Sequence, residues 1–257
     1  MKFINSIRIS SALLMTLIPV SAGTTIPELA TSQPVAPAES GWHVRTALYG
    51  WATMLDGDVT LRGYNAPVDV GFDDILENLD FAVMGVVEIG RGKWSFMADL
   101  FYAELSAGNS VGNLDFDVQL EQFIGNFAVV RNVIDDPCRR FDVFAGARVN
   151  SMDFELSINR KRTFSGSASQ TWVDPVIGFR YQQALSDKFF FRVLGDIGGF
   201  GVSSDLTWQG LAAVGYHISD SASLAFGYRG LGVDYSQGDF GYDVISHGLL
   251  LGFEYKF

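Results

Sequence analysis

The sequence predicts an all-β chain, folded as an antiparallel up-and-down transmembrane β-barrel of ten strands, with eight or twelve as alternatives. Three observations lead there. Apolar and polar residues alternate with period two from Gly41 to the end, and no segment sustains a helical period. Most alternating segments run about 10–15 residues, against about 5–6 for ordinary soluble strands and about 9–11 for a tilted membrane crossing. Tight connections alternate with longer ones, the layout of a barrel with short turns on one rim and loops on the other.

The chain is read as three stretches. Residues 1–22 form a secretory signal: Lys2 and Arg8 give a positive start, Ala12 to Val20 a short apolar core, and Val20-Ser21-Ala22 a small-residue cleavage site. The alternative, an N-terminal anchor helix, suits so short an apolar run poorly. No cysteine follows the core as a lipoprotein signal requires. Residues 23–40, rich in Thr, Ser, Pro and Ala, read as a flexible lead-in, and 41–257 as the barrel.

Ten segments follow: 42–53, 80–90, 93–106, 115–133, 140–154, 171–184, 188–201, 205–218, 221–235 and 242–257. In the second, Phe81, Val83, Gly85, Val87 and Ile89 oppose Ala82, Met84, Val86, Glu88 and Gly90. In the fourth, Phe116, Val118 and Leu120 lie on one phase and Phe123, Phe127 and Val129 on the other, which predicts a bulge near Gln122. In the fifth, Phe141, Val143, Ala145, Ala147 and Val149 alternate with Asp142, Phe144, Gly146, Arg148 and Asn150. The sixth contains Pro175, which donates to no ladder and predicts a second bulge. In the seventh, Phe189, Phe191, Val193, Gly195 and Ile197 oppose Phe190, Arg192, Leu194, Asp196 and Gly198. The last is the clearest: Ile245, His247, Leu249, Leu251, Phe253, Tyr255 and Phe257 share one face. Tight turns fall at 91–92, 134–139, 185–187 and 219–220, and longer loops at 54–79, 107–114, 155–170 and 236–241; the short link at 202–204 breaks the pattern. An even strand number puts both ends on one rim, expected to be periplasmic.

Composition excludes several classes. With 48% hydrophobic, 14% aromatic and 18% charged residues, the chain is too apolar for disorder and too sparsely charged for a coiled coil. One cysteine excludes a disulfide scaffold and a multi-cysteine metal site. The net charge of -11 becomes -13 without the leader, which removes two of 18 basic residues and none of 29 acidic ones. Such a surface argues against binding nucleic acid.

The aromatics Trp42, Trp51, Trp94, Trp172, Trp208, Tyr181, Tyr216, Tyr228 and Tyr255 fall near segment ends and suit lipid–water interfaces. The competing reading is core packing in a soluble sandwich, which explains neither the leader nor the rim asymmetry. Opposite the apolar face lie Arg45, Glu88, Asp99, Arg148, Asp174, Arg180, Arg192, Asp196, Arg229 and Glu254. Five positive and five negative groups in a narrow lumen have two readings: a plug of ion pairs, or a polar pathway for small solutes.

No catalytic set is read, and no cofactor or metal is expected. His43, His217 and His247 show no ligand spacing and no evident acidic partner. Asp56, Asp58, Asp69, Asp73, Asp74, Glu77 and Asp80 form an acidic first loop whose spacing matches no calcium loop, so a solvated loop is the better reading. One helical turn over 73–79 would place Ile75, Leu76 and Leu79 over the barrel mouth. Arg160, Lys161 and Arg162 could touch lipopolysaccharide phosphates or pair with that loop. Cys138, in a turn, is read as a free thiol.

Leu55-Asp56-Gly57-Asp58-Val59-Thr60, Ala66 to Val70, Phe72 to Phe81, Gly92-Lys93-Trp94, Asp99-Leu100, Trp172 to Gly178 and Tyr228-Arg229 resemble a poorly characterised family of proteobacterial outer-membrane β-barrels. The layout is also similar to small barrels of the OmpA and OmpW type, without a peptidoglycan-binding domain. Phe257 resembles the terminal aromatic assembly signal of such barrels. The resemblance implies outer-membrane localisation after export through the periplasm, with membrane lipid, lipopolysaccharide and the barrel-assembly machinery as partners. It implies a porin-like or structural barrel and supplies no catalytic residue. A lipid- or peptide-modifying surface enzyme and a loop-mediated binding barrel are the alternatives.

Overall fold

The computed structural model describes residues 41–61, 63–111, 114–159 and 163–257; the leader, the lead-in and Arg160-Lys161-Arg162 lie outside the described residues. Eleven strands and one helix follow in order: β1 (Trp42–Leu61), β2 (Tyr64–Val70), α1 (Phe72–Glu77), β3 (Leu79–Arg91), β4 (Trp94–Val111), β5 (Leu114–Asp136), β6 (Arg139–Asn159), β7 (Thr163–Ala184), β8 (Phe189–Gly199), β9 (Ser204–His217), β10 (Ala222–Gln237) and β11 (Phe240–Lys256).

Ten strands close an antiparallel ring. β1 pairs with β3, each later strand with the one before it, and β11 returns to β1. Lipid offers no hydrogen-bond partner, so a membrane-embedded sheet must close. β2 continues the wall higher up: β1 pairs with β3 over Trp42–Leu48 and with β2 over Leu55–Leu61. The rim that carries Trp42 and Phe257 also carries the tight turns after β3, β5, β7 and β9. In one of them Asp136 accepts hydrogen bonds from Nε of Arg139 at 2.7 Å and from the N–H groups of Cys138 and Arg139. Chiefly the Arg139 side chain, helped by those N–H groups, holds its carboxyl below the usual carboxylate range.

At the far end the structure departs from the sequence reading. The stretches 54–79, 107–114 and 155–170 are largely strand rather than loop, because β1, β4, β5, β6 and β7 run on beyond the expected limits. The hairpin of β8 and β9 is the low point of this palisade. Neither expected bulge forms. The β4–β5 and β5–β6 registers run through Gln122 without a shift, and the irregularity in β5 falls between Asn132 and Ile134. The β6–β7 register likewise runs through Pro175, and β8 joins β7 only from Val176, where β8 is already ending.

The parity change in β5 has another cause. Ile124, Asn126, Ala128 and Val130 face inward, while Phe127 and Val129 face outward. Farther up, the inward positions Leu120 and Val118 are apolar and the outward Glu121, Gln119 and Asp117 are exposed acids and amide. The polarity of the wall inverts along its axis. Near the chain ends, apolar groups face out and polar ones in. Beyond the membrane, polar groups face out, and an apolar core fills the interior; it begins level with Leu250 at Trp51 and continues through Phe101, Trp172, Leu231, Val233, Tyr235, Tyr242 and Val244. On β11 the outward crossover runs from Leu249 through His247 and Ile245 to the exposed Asp243. Leu249 to Phe257 spans roughly 20 Å of height at 3.3 Å per residue and 40° tilt, close to the apolar band of outer-membrane barrels.

Two of the five Trp residues therefore leave the interfaces assigned to them: Trp51 and Trp172 are 5% and 4% exposed inside the far-end core. Trp42 and Trp94 are exposed at the near rim, where Arg131 lies 5.1 Å over the Trp94 ring. Phe257 is outward, and its N–H donates to the Val44 carbonyl at 2.9 Å.

Leu251→Arg, outward in the band, is expected to cost about 2–4 kcal/mol of folding into lipid vesicles. Asp243→Arg, outward above the band, is expected to cost under about 0.5 kcal/mol, as surface changes do. Urea titrations of the two variants, followed by heat-modifiable gel migration, check the pair.

Candidate functional site

The inward phases of the membrane-spanning wall bring charges together in two tiers. In the tier nearer the chain ends, Glu88 of β3 accepts from Arg45 at 2.5 Å, from Nη1 and Nη2 of Arg180 at 2.9 and 3.2 Å, and from Ser95 at 2.7 Å. Asp142 of β6 accepts from Nε and Nη2 of Arg180 at 2.9 and 2.7 Å, from Arg140 at 3.1 Å and from Asn132 at 2.8 Å. Arg192 of β8 reaches across to Glu254 of β11, and both its Nε and Nη2 also bond Gln182. Arg180, on β7, thus spans the interior to β3, almost opposite in the ring.

The second tier lies farther in. Arg229 of β10 donates to Asp99 of β4 at 3.1 Å, to Gln209 at 2.7 Å and to the Tyr49 hydroxyl at 2.7 Å; that hydroxyl donates to Asp99 at 2.7 Å. Arg148 of β6 donates to Asn126, to Thr207 and, through Nη2, to both oxygens of Asp196 at 2.8 and 3.0 Å. Four of the charge-assisted pairs, Arg180–Glu88, Arg192–Glu254, Arg229–Asp99 and Arg148–Asp196, join strands that are not neighbours, so they brace the ring from inside. A lone ion here would suffer the full desolvation cost; each acid instead has a guanidinium partner.

Between the tiers lies a cavity of about 110 Å³, walled by apolar side chains such as Val86, Met97, Phe144 and Leu211. The near mouth opens into a wider polar vestibule lined by Asp135, Arg139, Arg140, His217 and Lys256 among others. Above the second tier the lumen is filled by the aromatic core, where Trp172 stacks on Tyr235 at 4.2 Å and Trp51 meets Phe101 edge-on at 5.9 Å.

Nine of the ten charges singled out in the sequence sit in these tiers. The tenth, Asp174, also faces inward but meets no guanidinium: it accepts from the Ser204 N–H at 2.7 Å and its hydroxyl at 2.6 Å, tying down the β8–β9 loop. Asp142 was missed, although it shares the inward phase of Arg148 six residues away, and that parity was the signal. The expectation that the His residues lack acidic partners is corrected at His247. On the outer face at the crossover level, its Nε2 lies 2.5 Å from Asp56 and its Nδ1 2.5 Å from the Tyr228 hydroxyl. His217 bonds Ser223 near the opposite rim. The helix α1 spans Phe72–Glu77 and lies beside β1 instead of over the mouth, leaving Leu76 exposed. Its acids Asp73 and Asp74 are exposed, and no group of residues suited to hold a metal ion occurs among the described residues. Cys138 is an exposed free thiol.

No family model matches the chain, and no curated protein matches it in sequence. In structure it is similar to the outer membrane protease OmpT from Escherichia coli, with a TM-score of 0.52 at 11% identity over 87% of this chain and 99% of that one. It also aligns with Ail, the attachment invasion locus protein of Yersinia pestis, at a TM-score of 0.35 and 13% identity over 85% of this chain and 99% of the other. At such identity the likeness shows the fold alone, that of an outer-membrane β-barrel.

Arg180→Met is expected to cost about 1.5–3 kcal/mol, because Glu88 and Asp142 lose their shared cation but keep Arg45 and Arg140. Adding Glu88→Gln and Asp142→Asn is expected to recover none of that loss, because it strips Arg45 and Arg140 of their partners. Urea midpoints read by gel migration check both.

Proposed function

We propose that this chain is a structural barrel of a Gram-negative outer membrane, with its lumen closed at rest. The near rim faces the periplasm and the palisade faces outward. Export through the periplasm, recognition of Phe257 by the barrel-assembly machinery and contact with lipopolysaccharide belong to this reading.

The observation that supports closure is the clamp of Arg180 between Glu88 and Asp142. It crosses the lumen at buried positions, with a second tier and an aromatic core above it. A barrel of about eight strands is just wide enough for its side chains to fill, and ten strands add little room. An open solute pathway would need both tiers and the core to part. The chain Tyr228–His247–Asp56 favours a second reading, a surface enzyme, since a carboxylate-oriented imidazole is a common proton carrier.

The purified protein in planar bilayers is expected to show no steady conductance steps. The variant Arg180→Ser/Glu88→Ser/Asp142→Ser is expected to show flickering conductance of higher frequency. Stable unitary steps from the unaltered protein would contradict closure. Hydrolysis of lipopolysaccharide or peptide, lost in His247→Ala, would support the enzyme instead.

A further inference from the structure

Among the described residues the ladder between neighbouring strands lapses above the β8–β9 hairpin, where β7 runs on alone, and also between β1 and β3. β1 leaves β3 after the Leu48–Gly85 pair and takes up β2 only at Leu55. Tyr49–Met54 of β1 and Leu79–Met84 of β3 therefore face each other without a ladder. The same stretch of β1 pairs on its other side with His247–Gly252 of β11, so the breach lies in the far half of the apolar band. Its upper margin is α1, whose Phe72 lines it.

A cavity of about 380 Å³ occupies the breach, and its walls are apolar. Inward residues (Tyr49, Trp51, Ala82, Met84, Leu250) and outward ones (Gly50, Ala52, Phe226, Leu249, Leu251) line it together. A space bounded by both faces of a β-wall passes through that wall. The outward positions of β1 here are Gly50 and Ala52, where neighbouring strands carry Leu and Phe. A Cβ built on Gly50 meets nothing within 4 Å. Tyr49 and Leu250 also line the cavity between the charge tiers, so the two spaces adjoin.

A second, independent observation sits at the inner end. Trp51 is 5% exposed, lines the breach, and its indole Nε1–H has no hydrogen-bond partner among the described residues. Arg229 stacks over the Trp51 ring at 4.8 Å, and its Nε–H is likewise without a partner there. Buried donors left unpaired are uncommon and point to a missing acceptor. The acceptor should be uncharged: Arg229 and Arg148 are already matched by Asp99 and Asp196, and a further anion would be buried unbalanced.

We propose that the breach between β1 and β3 is a lateral binding site for a single-chain lipid with an uncharged carbonyl head. The chain lies along Gly50, Ala52, Phe226, Leu249 and Leu251 in continuity with the bilayer, and the carbonyl oxygen accepts from Trp51 Nε1. This goes beyond the closed-barrel reading and is independent of it: conductance reports the lumen, and labelling reports the wall.

The probe is a palmitic acid methyl ester carrying a chain diazirine, photolysed with the refolded full-length protein in phosphatidylcholine vesicles. Cross-links are expected on peptides holding Ala82, Met84 and Leu249–Leu251. Gly50→Trp, and Ala52→Leu as a second blocking variant, should lower them tenfold while heat-modifiable migration is retained. Trp51→Phe keeps a ring but loses the donor, and should weaken ester binding about fivefold. It should leave a hydrocarbon diazirine probe unchanged. The free carboxylate at pH 8 should label more weakly than the ester. Labelling spread evenly over the band, for instance on peptides holding Phe96 and Val129, overturns the proposal. So does localised labelling indifferent to the blocking variants, or ester binding indifferent to Trp51→Phe.

Discussion

In hydrocarbon, every polar group must be satisfied by the protein itself, and most features of this molecule follow from that constraint. Backbone groups meet it by closure: ten strands form a ring, and β11 comes back to β1. Side chains meet it by facing a lumen where Arg, Asp, Glu and amide groups bond one another. Where the wall rises out of the membrane, water satisfies the outer face, and the requirement reverses. Apolar residues then turn inward and form a conventional core, with Trp172, Tyr235 and Tyr242 at its centre. One continuous strand such as β5 passes from one regime to the other near Gln122 without a bulge there, because only the choice of residue at each parity changes.

The two tiers and the far-end core divide the interior into compartments. Each tier links strands remote in sequence, Arg229 with Asp99 and Arg192 with Glu254, so the braces also fix the ring's cross-section. Net stabilisation from buried pairs is modest, since burial costs much of what Coulomb attraction returns. Their larger effect is specificity: a one-residue slip would turn every inward charge into lipid. The tiers and register thus reinforce each other. Where the ladder lapses between β1 and β3, Trp51 Nε1 lacks an acceptor among the described residues, as do Asn150 Nδ2 and Trp172 Nε1 elsewhere in the interior.

Much of the barrel was legible because period-two alternation survives in every crossing. The ring number, the near-rim turns and the inward parity of Arg148, Arg180 and Arg229 can be read from spacing alone. What could not be read has a common origin. Sequence alternation shows which residues share a face, not which medium that face meets. The parity change in β5 therefore looked like a bulge, and Trp51 and Trp172 looked like interface anchors. The far-end strands looked like loops because their outward residues are Asp, Ser and Thr, as in Asp153, Ser167 and Ser169. Partners such as Asp142 with Arg180 and Asp56 with His247 are set by three-dimensional register, which no single segment of sequence specifies. The breach leaves no residue pattern either, since it is a missing pairing between β1 and β3.

The inversion of polarity along a single strand is most directly tested by site-directed spin labelling along β11 in vesicles, with Cys138 replaced by Ser. Labels at Phe253, Leu251 and Leu249 should collide with oxygen more than with a water-soluble nickel chelate. The preference should reverse between Ile245 and Asp243, and labels at the inward Val244 should collide with neither. A nickel preference along the whole outward series would contradict the account, because it would place β11 in water from end to end.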